Sequence, residues 1–260
     1  MSETDDPYRA PQSNVTESSS EQFGGSIDNT LGGNAELDIG AVFSEAWGKT
    51  NGIKGYVVGG GILLYLAAGV VSVIVSFLFG LGGQDIAGVL VGQLVTMMMI
   101  YPFIAGVFLL GLHQSVGMPV SFAQQFNQYG MMLPILGIAL IQTLASLIIP
   151  IVGVVLLRDT GSSNLVLLFF LVLPSIYVAF AFALAIPLKV EKQLGVIESI
   201  ITSMQLVNKK FFSVAVLALV SSIVSVLSFI TIIGWIWAIP WMLMVFAITY
   251  RQLAGVSVAT

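Results

Sequence analysis

Few side chains in this 260-residue chain can do chemistry, and their spacing gathers none of them into a constellation. Cysteine is absent, which excludes disulfides, thiolate nucleophiles and cysteine-based metal sites. His113 is the single histidine, so a multi-histidine metal centre is excluded as well. The acids are distributed unevenly. Glu3, Asp5, Asp6, Glu17, Glu21, Asp28, Glu36, Asp38 and Glu45 crowd the start, and only Asp85, Asp159, Glu191 and Glu198 follow. Glu191 and Glu198 stand near lysines and read as ordinary charged surface. Gly59-Gly60-Gly61 lies in a hydrophobic run with no following Lys-Ser/Thr, so it is no phosphate loop. A Gly-x-Ser-x-Gly elbow is also missing. Catalysis needs acids, bases or nucleophiles within mutual reach. The expectation is therefore a protein that is not an enzyme and carries no cofactor and no metal.

The elements that hold these residues are set by composition. Hydrophobic residues make up 57% of the chain and charged residues 8%, with a mean hydropathy of +0.99. A soluble domain carries about 25% charged residues. The chain is an integral membrane protein by this measure, and nucleic acid is excluded as a partner.

Spans follow from charge-free runs, since about 20 apolar residues cross a hydrocarbon core of about 30 Å. The run 55–84 gives a first span near 56–79. The run 86–157 divides at the polar stretch 113–130, giving spans near 86–112 and 131–157. A turn over 158–164 precedes a fourth span near 165–188. The run 211–250 would reach about 60 Å as one helix, twice the core, so it splits near 231–234 into two. The fold class is all-α, a polytopic bundle of six transmembrane helices.

Residues 1–35 are polar and acidic and read as a disordered tail, with no basic-then-apolar signal sequence. The membrane domain covers 36–253, and 254–260 is a short C-terminal tail. With six spans, Lys49, Lys54, Lys189, Lys192, Lys209, Lys210 and Arg251 fall on one side and Arg158 alone on the other. The positive-inside rule then places both termini in the cytoplasm.

An amphipathic stretch precedes each helical hairpin. Ile39, Val42, Phe43, Ala46 and Trp47 share one helical face, with Asp38 placed to cap it. Phe122, Phe126 and Tyr129 follow with a similar period, and Val196, Ile200, Met204 and Val207 make a third face. The even spans align on Pro102, Pro174 and Pro240. Six residues on stand Phe108, Phe180 and Phe246, and nine residues on stand Gly111, Ala183 and Thr249. Proline kinks a membrane helix, and small residues admit a neighbouring backbone. These two patterns predict three copies of one unit: interfacial helix, span, turn, kinked span. The amphipathic stretches are expected on the cytoplasmic surface, with Trp47, Lys49, Lys54, Phe122, Phe126, Lys209 and Lys210 at the headgroup level. Inside the spans the candidate polar contacts are Gln93, Thr96, Gln142 and Thr143, read as hydrogen bonds between helices. Gly88 and Gly92 form a helix-packing pair.

The stretch from Pro187-Leu188-Lys189-Val190-Glu191-Lys192 through Gly195-Val196-Ile197-Glu198-Ser199 to Asn208-Lys209-Lys210-Phe211-Phe212 resembles one found in uncharacterised six-helix bacterial inner-membrane proteins. The ending from Pro240 to Tyr250-Arg251-Gln252-Leu253 and the opening Glu45-Ala46-Trp47 are similar to theirs. That group resembles the membrane domain of some glycerophosphodiester phosphodiesterases. The resemblance implies a six-helix fold and a place in the bacterial inner membrane, and it transfers no catalytic residue. The function expected is non-enzymatic organisation of membrane lipid or of a second membrane protein. The alternative is a small transporter or channel for an apolar or neutral solute, motivated by the kinked spans and by Gln93 and Gln142.

Overall fold

The computed structural model describes residues 21–78, 86–157, 165–231 and 233–258. Residues 1–20, Asp85 and the expected turn at 158–164 lie outside them. The order is β1 (Glu21–Phe23), α1 (Ile27–Leu31), α2 (Ile39–Thr50), α3 (Lys54–Leu78), α4 (Ile86–Ser115), a 3₁₀ helix (Phe122–Met131), α5 (Met132–Leu157), α6 (Leu165–Ala181), α7 (Ala185–Glu191), α8 (Val196–Lys209), α9 (Phe211–Phe229), α10 (Gly234–Ala254) and β2 (Val256–Val258). It is an all-α bundle, with six helices among the described residues long and apolar enough to cross a membrane. The chain is thus a multi-pass integral membrane protein.

The division of 211–250 follows from length, and α9 and α10 separate where the sequence predicts. The fourth span departs from expectation. It breaks over 182–184 into α6 and α7, and the buried hydroxyl of Ser203 on α8 bridges the gap. That hydroxyl donates to the Ala181 carbonyl (2.7 Å) and accepts from the Leu184 N–H (3.0 Å). A helix break among apolar spans needs such partners, because lipid offers none.

Spans α4 and α10 form the centre. Half or more of their apolar windows is buried (50% and 56%), against 11% in α3 and in α9. Phe108 sits between the edges of Phe246 (5.5 Å) and Tyr250 (5.1 Å), and Leu243 of α10 fills the space beside Gly111. Outer spans turn Tyr65, Val73, Phe77, Leu133, Ile148, Leu219 and Val226 outward. Such residues gain nothing from leaving lipid, so packing rather than hydrophobicity selects which helices are central. Gly92 lies against Val75, which makes that glycine a contact within the chain.

The amphipathic stretches are corrected in one respect: on α2 and α8 part of the apolar face turns to the bundle, while Trp47, Phe122 and Tyr129 stay exposed. Asp38 caps α2 by accepting the Ala41 N–H (3.0 Å), and Val42 and Ala46 are fully buried. Phe43 of the same face stacks on Trp241 (5.5 Å). On α8, Ile200 and Val207 are buried while Ile197 and Ile201 face outward. The second stretch is a 3₁₀ helix lying along α4. There Phe126 packs on Phe103 (5.6 Å), and the Tyr129 hydroxyl donates to the Met99 carbonyl (2.7 Å).

The expected disordered tail is corrected over 21–31, which is ordered against the short C-terminal tail. Strands β1 and β2 pair antiparallel, Glu21 opposite Val258 and Phe23 opposite Val256. The buried Thr30 hydroxyl donates to the Leu253 carbonyl (2.6 Å). Gly24 (φ +88°) and Gly255 (φ +68°) adopt left-handed backbone, and a side chain on Gly24 would strike the Arg251 carbonyl. Polar composition at the start suggested no order; it comes from partners at the far end of the chain.

Candidate functional site

The polar groups that the sequence leaves scattered meet at one end of the bundle, where α4, α7 and α10 finish beside α2. Arg251, in the last turn of α10, forms a fork with Glu45 of α2 at 2.9 and 2.6 Å. The same guanidinium donates to the Ser115 carbonyl (2.5 Å), one of the C-terminal carbonyls of α4. Lys49 donates to that carbonyl too and lies 3.6 Å from Glu45. Burial pushes the Glu45 carboxyl up, but the hydrogen bonds and charges of Arg251 and Lys49 outweigh it. The carboxyl is held below its ordinary value.

A second cluster adjoins the first. The Tyr250 hydroxyl donates to Glu191 (2.7 Å), Lys192 lies 3.2 Å from that carboxylate, and the Ser257 N–H donates to it (3.4 Å). Glu191 is therefore no open surface charge, as its lysine neighbours suggested; its side chain is 8% accessible. His113 pairs with the Gln124 amide. Among the described residues no three of His, Asp or Glu gather closely enough to hold a metal ion. Chemically the end is a set of acids already held by cations, a hydroxyl and backbone N–H groups.

The predicted interface residues fall in four places. Trp47 is exposed (61%) and stacks on Trp237 (6.1 Å), and the Lys54 ammonium lies over that Trp237 ring. Lys49 belongs to the Arg251 cluster. Phe122 and Phe126 lie with their rings 5.8 Å apart on the 3₁₀ helix. Lys209 is exposed and lines a pocket with Leu31, Gln205 and Asn208, and Lys210 donates to the Gly33 carbonyl (3.4 Å).

The intramembrane polar residues do not converge. Gln93 is exposed and Gln142 half-buried. Thr96 and Thr143 donate to Gly92 and Ala139 of their own helices (2.8 Å each), correcting the expectation of bonds between helices. A second pocket, between α9 and α10, is lined by Ser225, Ser228, Trp235, Ala238, Ile239 and Met242 and is apolar.

Sequence reasoning missed the Glu45–Arg251 fork, Ser203 and Thr30. Glu45 and Arg251 are 206 positions apart, and no local pattern announces such a pair. The tandem Gly24-Gly25 was a usable signal, since neither position beside α10 has room for a side chain. No protein-family model, no curated protein and no solved structure matches this chain.

Proposed function

We propose that this protein is a non-enzymatic component of a bacterial inner membrane, with both termini in the cytoplasm, that organises lipid or a second membrane protein. One observation carries the reading. Three spans present long apolar faces outward, while the acids at the polar end are already committed to Arg251, Lys49, Tyr250 and Lys192. Such a molecule offers its surroundings surface rather than reactivity. The kinship with six-helix bacterial inner-membrane proteins, and the three-unit repeat, belong to the same proposal. Supporting the repeat are the order of three hairpins and the edge contact between its equivalent residues Phe108 and Phe246.

Lysine and arginine placement supports the orientation, because Lys49, Lys189, Lys192, Lys209, Lys210 and Arg251 all belong to elements joined at one end. Reporter fusions at positions 20, 120, 161 and 258 test it; a periplasmic signal at 120 overturns it. Native mass spectrometry that resolves bound lipid tests the function. Retained lipid or a stoichiometric membrane partner is the expected result, and the absence of both overturns the reading.

The transport alternative has a single observation in its favour. Gln125 is fully buried against Gly60 and Gly106, and among the described residues its Oε1 has no hydrogen-bond partner. An unpaired buried amide oxygen among spans suits a polar solute in passage. Swelling of proteoliposomes in small neutral solutes, abolished by Gln125→Leu, would decide for it.

A further inference from the structure

The junction of α8 and α9 carries two lysines followed at once by two phenylalanines. Phe212 is 84% exposed and Phe211 36%, with their rings 5.7 Å apart and Tyr177 6.2 Å from Phe211. In a membrane protein an exposed aromatic group next to exposed ammonium groups marks the step from acyl chains to headgroups. On the polar side of that step lies the pocket of about 450 Å³ lined by Leu31, Gln205, Asn208 and Lys209. Its volume falls within the range of small-molecule sites, about 300–1,000 Å³.

The lining has a definite chemistry. Tyr177 donates to Asn208 Oδ1 (2.7 Å), which leaves the Asn208 amide N–H groups to donate. Gln205 adds a second amide. Among the described residues no carboxylate lies within ion-pair range of Lys209, and no acid lines the pocket. The first turn of α9 begins at Phe211, directly after Lys210, and the Lys210 side chain does not cap it. Donors and one uncompensated cation suit a phosphate. The lack of an acid gives the cation of a zwitterionic headgroup nothing to bind.

We propose that this pocket holds the headgroup of an anionic phospholipid, its phosphate on Lys209 and the Gln205 and Asn208 amides, with an acyl chain descending along Tyr177 and Phe211. The assignment rests on the lipid-organising reading and names its ligand and site.

The test uses the full chain in mixed phosphatidylglycerol and phosphatidylcholine micelles, with retained lipid counted by native mass spectrometry. Wild type should retain phosphatidylglycerol in preference. Lys209→Gln should cut that retention by roughly tenfold, the worth of one charge-assisted hydrogen bond. Asn208→Asp should cut it at least as far, by repulsion. Lys54→Gln, which removes a half-buried ammonium seated over the Trp237 ring and outside this pocket, should leave it unchanged. Retention unaffected by Lys209→Gln, or lowered equally by Lys54→Gln, overturns this site while leaving the broader reading intact. Displacement of the lipid by millimolar glycerol phosphate overturns the lipid assignment in favour of a free phosphate ester. Absence of any retained lipid from wild type overturns this site and removes its lipid premise.

Discussion

Gly106 of α4 lies directly beneath the 3₁₀ helix, and a methyl group there would stand 2.1 Å from the Gln125 carbonyl oxygen and 2.6 Å from its carbon. Both are backbone atoms, so no change of rotamer relieves the clash. Gln125 would have to retreat by about 0.9 Å to reach the 3.0 Å that Cβ contacts essentially never breach. That movement pulls Phe126 from Phe103 and the Tyr129 hydroxyl from Met99. Overpacking of this kind costs about 1–3 kcal/mol, and the tyrosine hydrogen bond adds about 1 kcal/mol. The better helix propensity of alanine returns about 1 kcal/mol. Gly106→Ala should therefore be less stable than wild type by about 1–3 kcal/mol. Gly61→Ala is the matched control, because its Cβ meets nothing within 4 Å and only the propensity gain remains. Unfolding by sodium dodecyl sulfate, followed through the four tryptophans, reads both variants. Hydrogen exchange over 122–131 should quicken in the first and not in the second. Equal unfolding midpoints for Gly106→Ala and Gly61→Ala would refute the close approach of the 3₁₀ helix to α4.

Three further perturbations test other joints. Glu45→Gln breaks a fork whose side chains are 29% and 14% accessible, so its cost falls between that of exposed and buried pairs, about 1–3 kcal/mol. Because the folded carboxyl lies below its ordinary 4.5, the stabilisation is complete above pH 4.5 and drains away as pH falls through the lower folded value. Unfolding midpoints should thus fall less steeply in acid for Glu45→Gln than for wild type. Ser203→Ala orphans the Leu184 N–H and the Ala181 carbonyl where α6 meets α7, at about 1–3 kcal/mol. The Leu184 amide should exchange at least tenfold faster, and unchanged protection would contradict the bridge. Thr30→Val removes the bond to Leu253 at about 1 kcal/mol and should expose 24–33 to limited proteolysis without shifting the spans.

What could be read from the chain divides along a physical line. Spans depend on local composition, and a charge-free run longer than the bilayer forces the break between α9 and α10 wherever the tertiary partners lie. Asp38 as a cap is equally local, since the acceptor and its N–H are three residues apart. The clasp of 21–31 is not local. Its polar residues carry no hydrophobic period, and they are ordered by the Leu253 and Arg251 carbonyls more than 200 positions away. Glu191 resembles any acid among lysines until Tyr250 is placed against it. The apolar face of α8 suits lipid and protein alike, and only the packed bundle decides between them. Thr96 and Thr143 misled for a related reason, because a hydroxyl in a helix can satisfy itself on the preceding turn.

The pairing of Phe108 with Phe246 and Tyr250 has a consequence for biogenesis. A ribosome delivers α3 and α4 to the bilayer long before it makes α10, so the inner helix of the first hairpin waits without its eventual neighbour. Glu45 waits for Arg251 in the same way, and β1 for β2. Insertion of the last hairpin is then the event that locks the whole assembly. A chain truncated before α10 would enter the membrane with its greasy outer rods in place and nothing to hold them together.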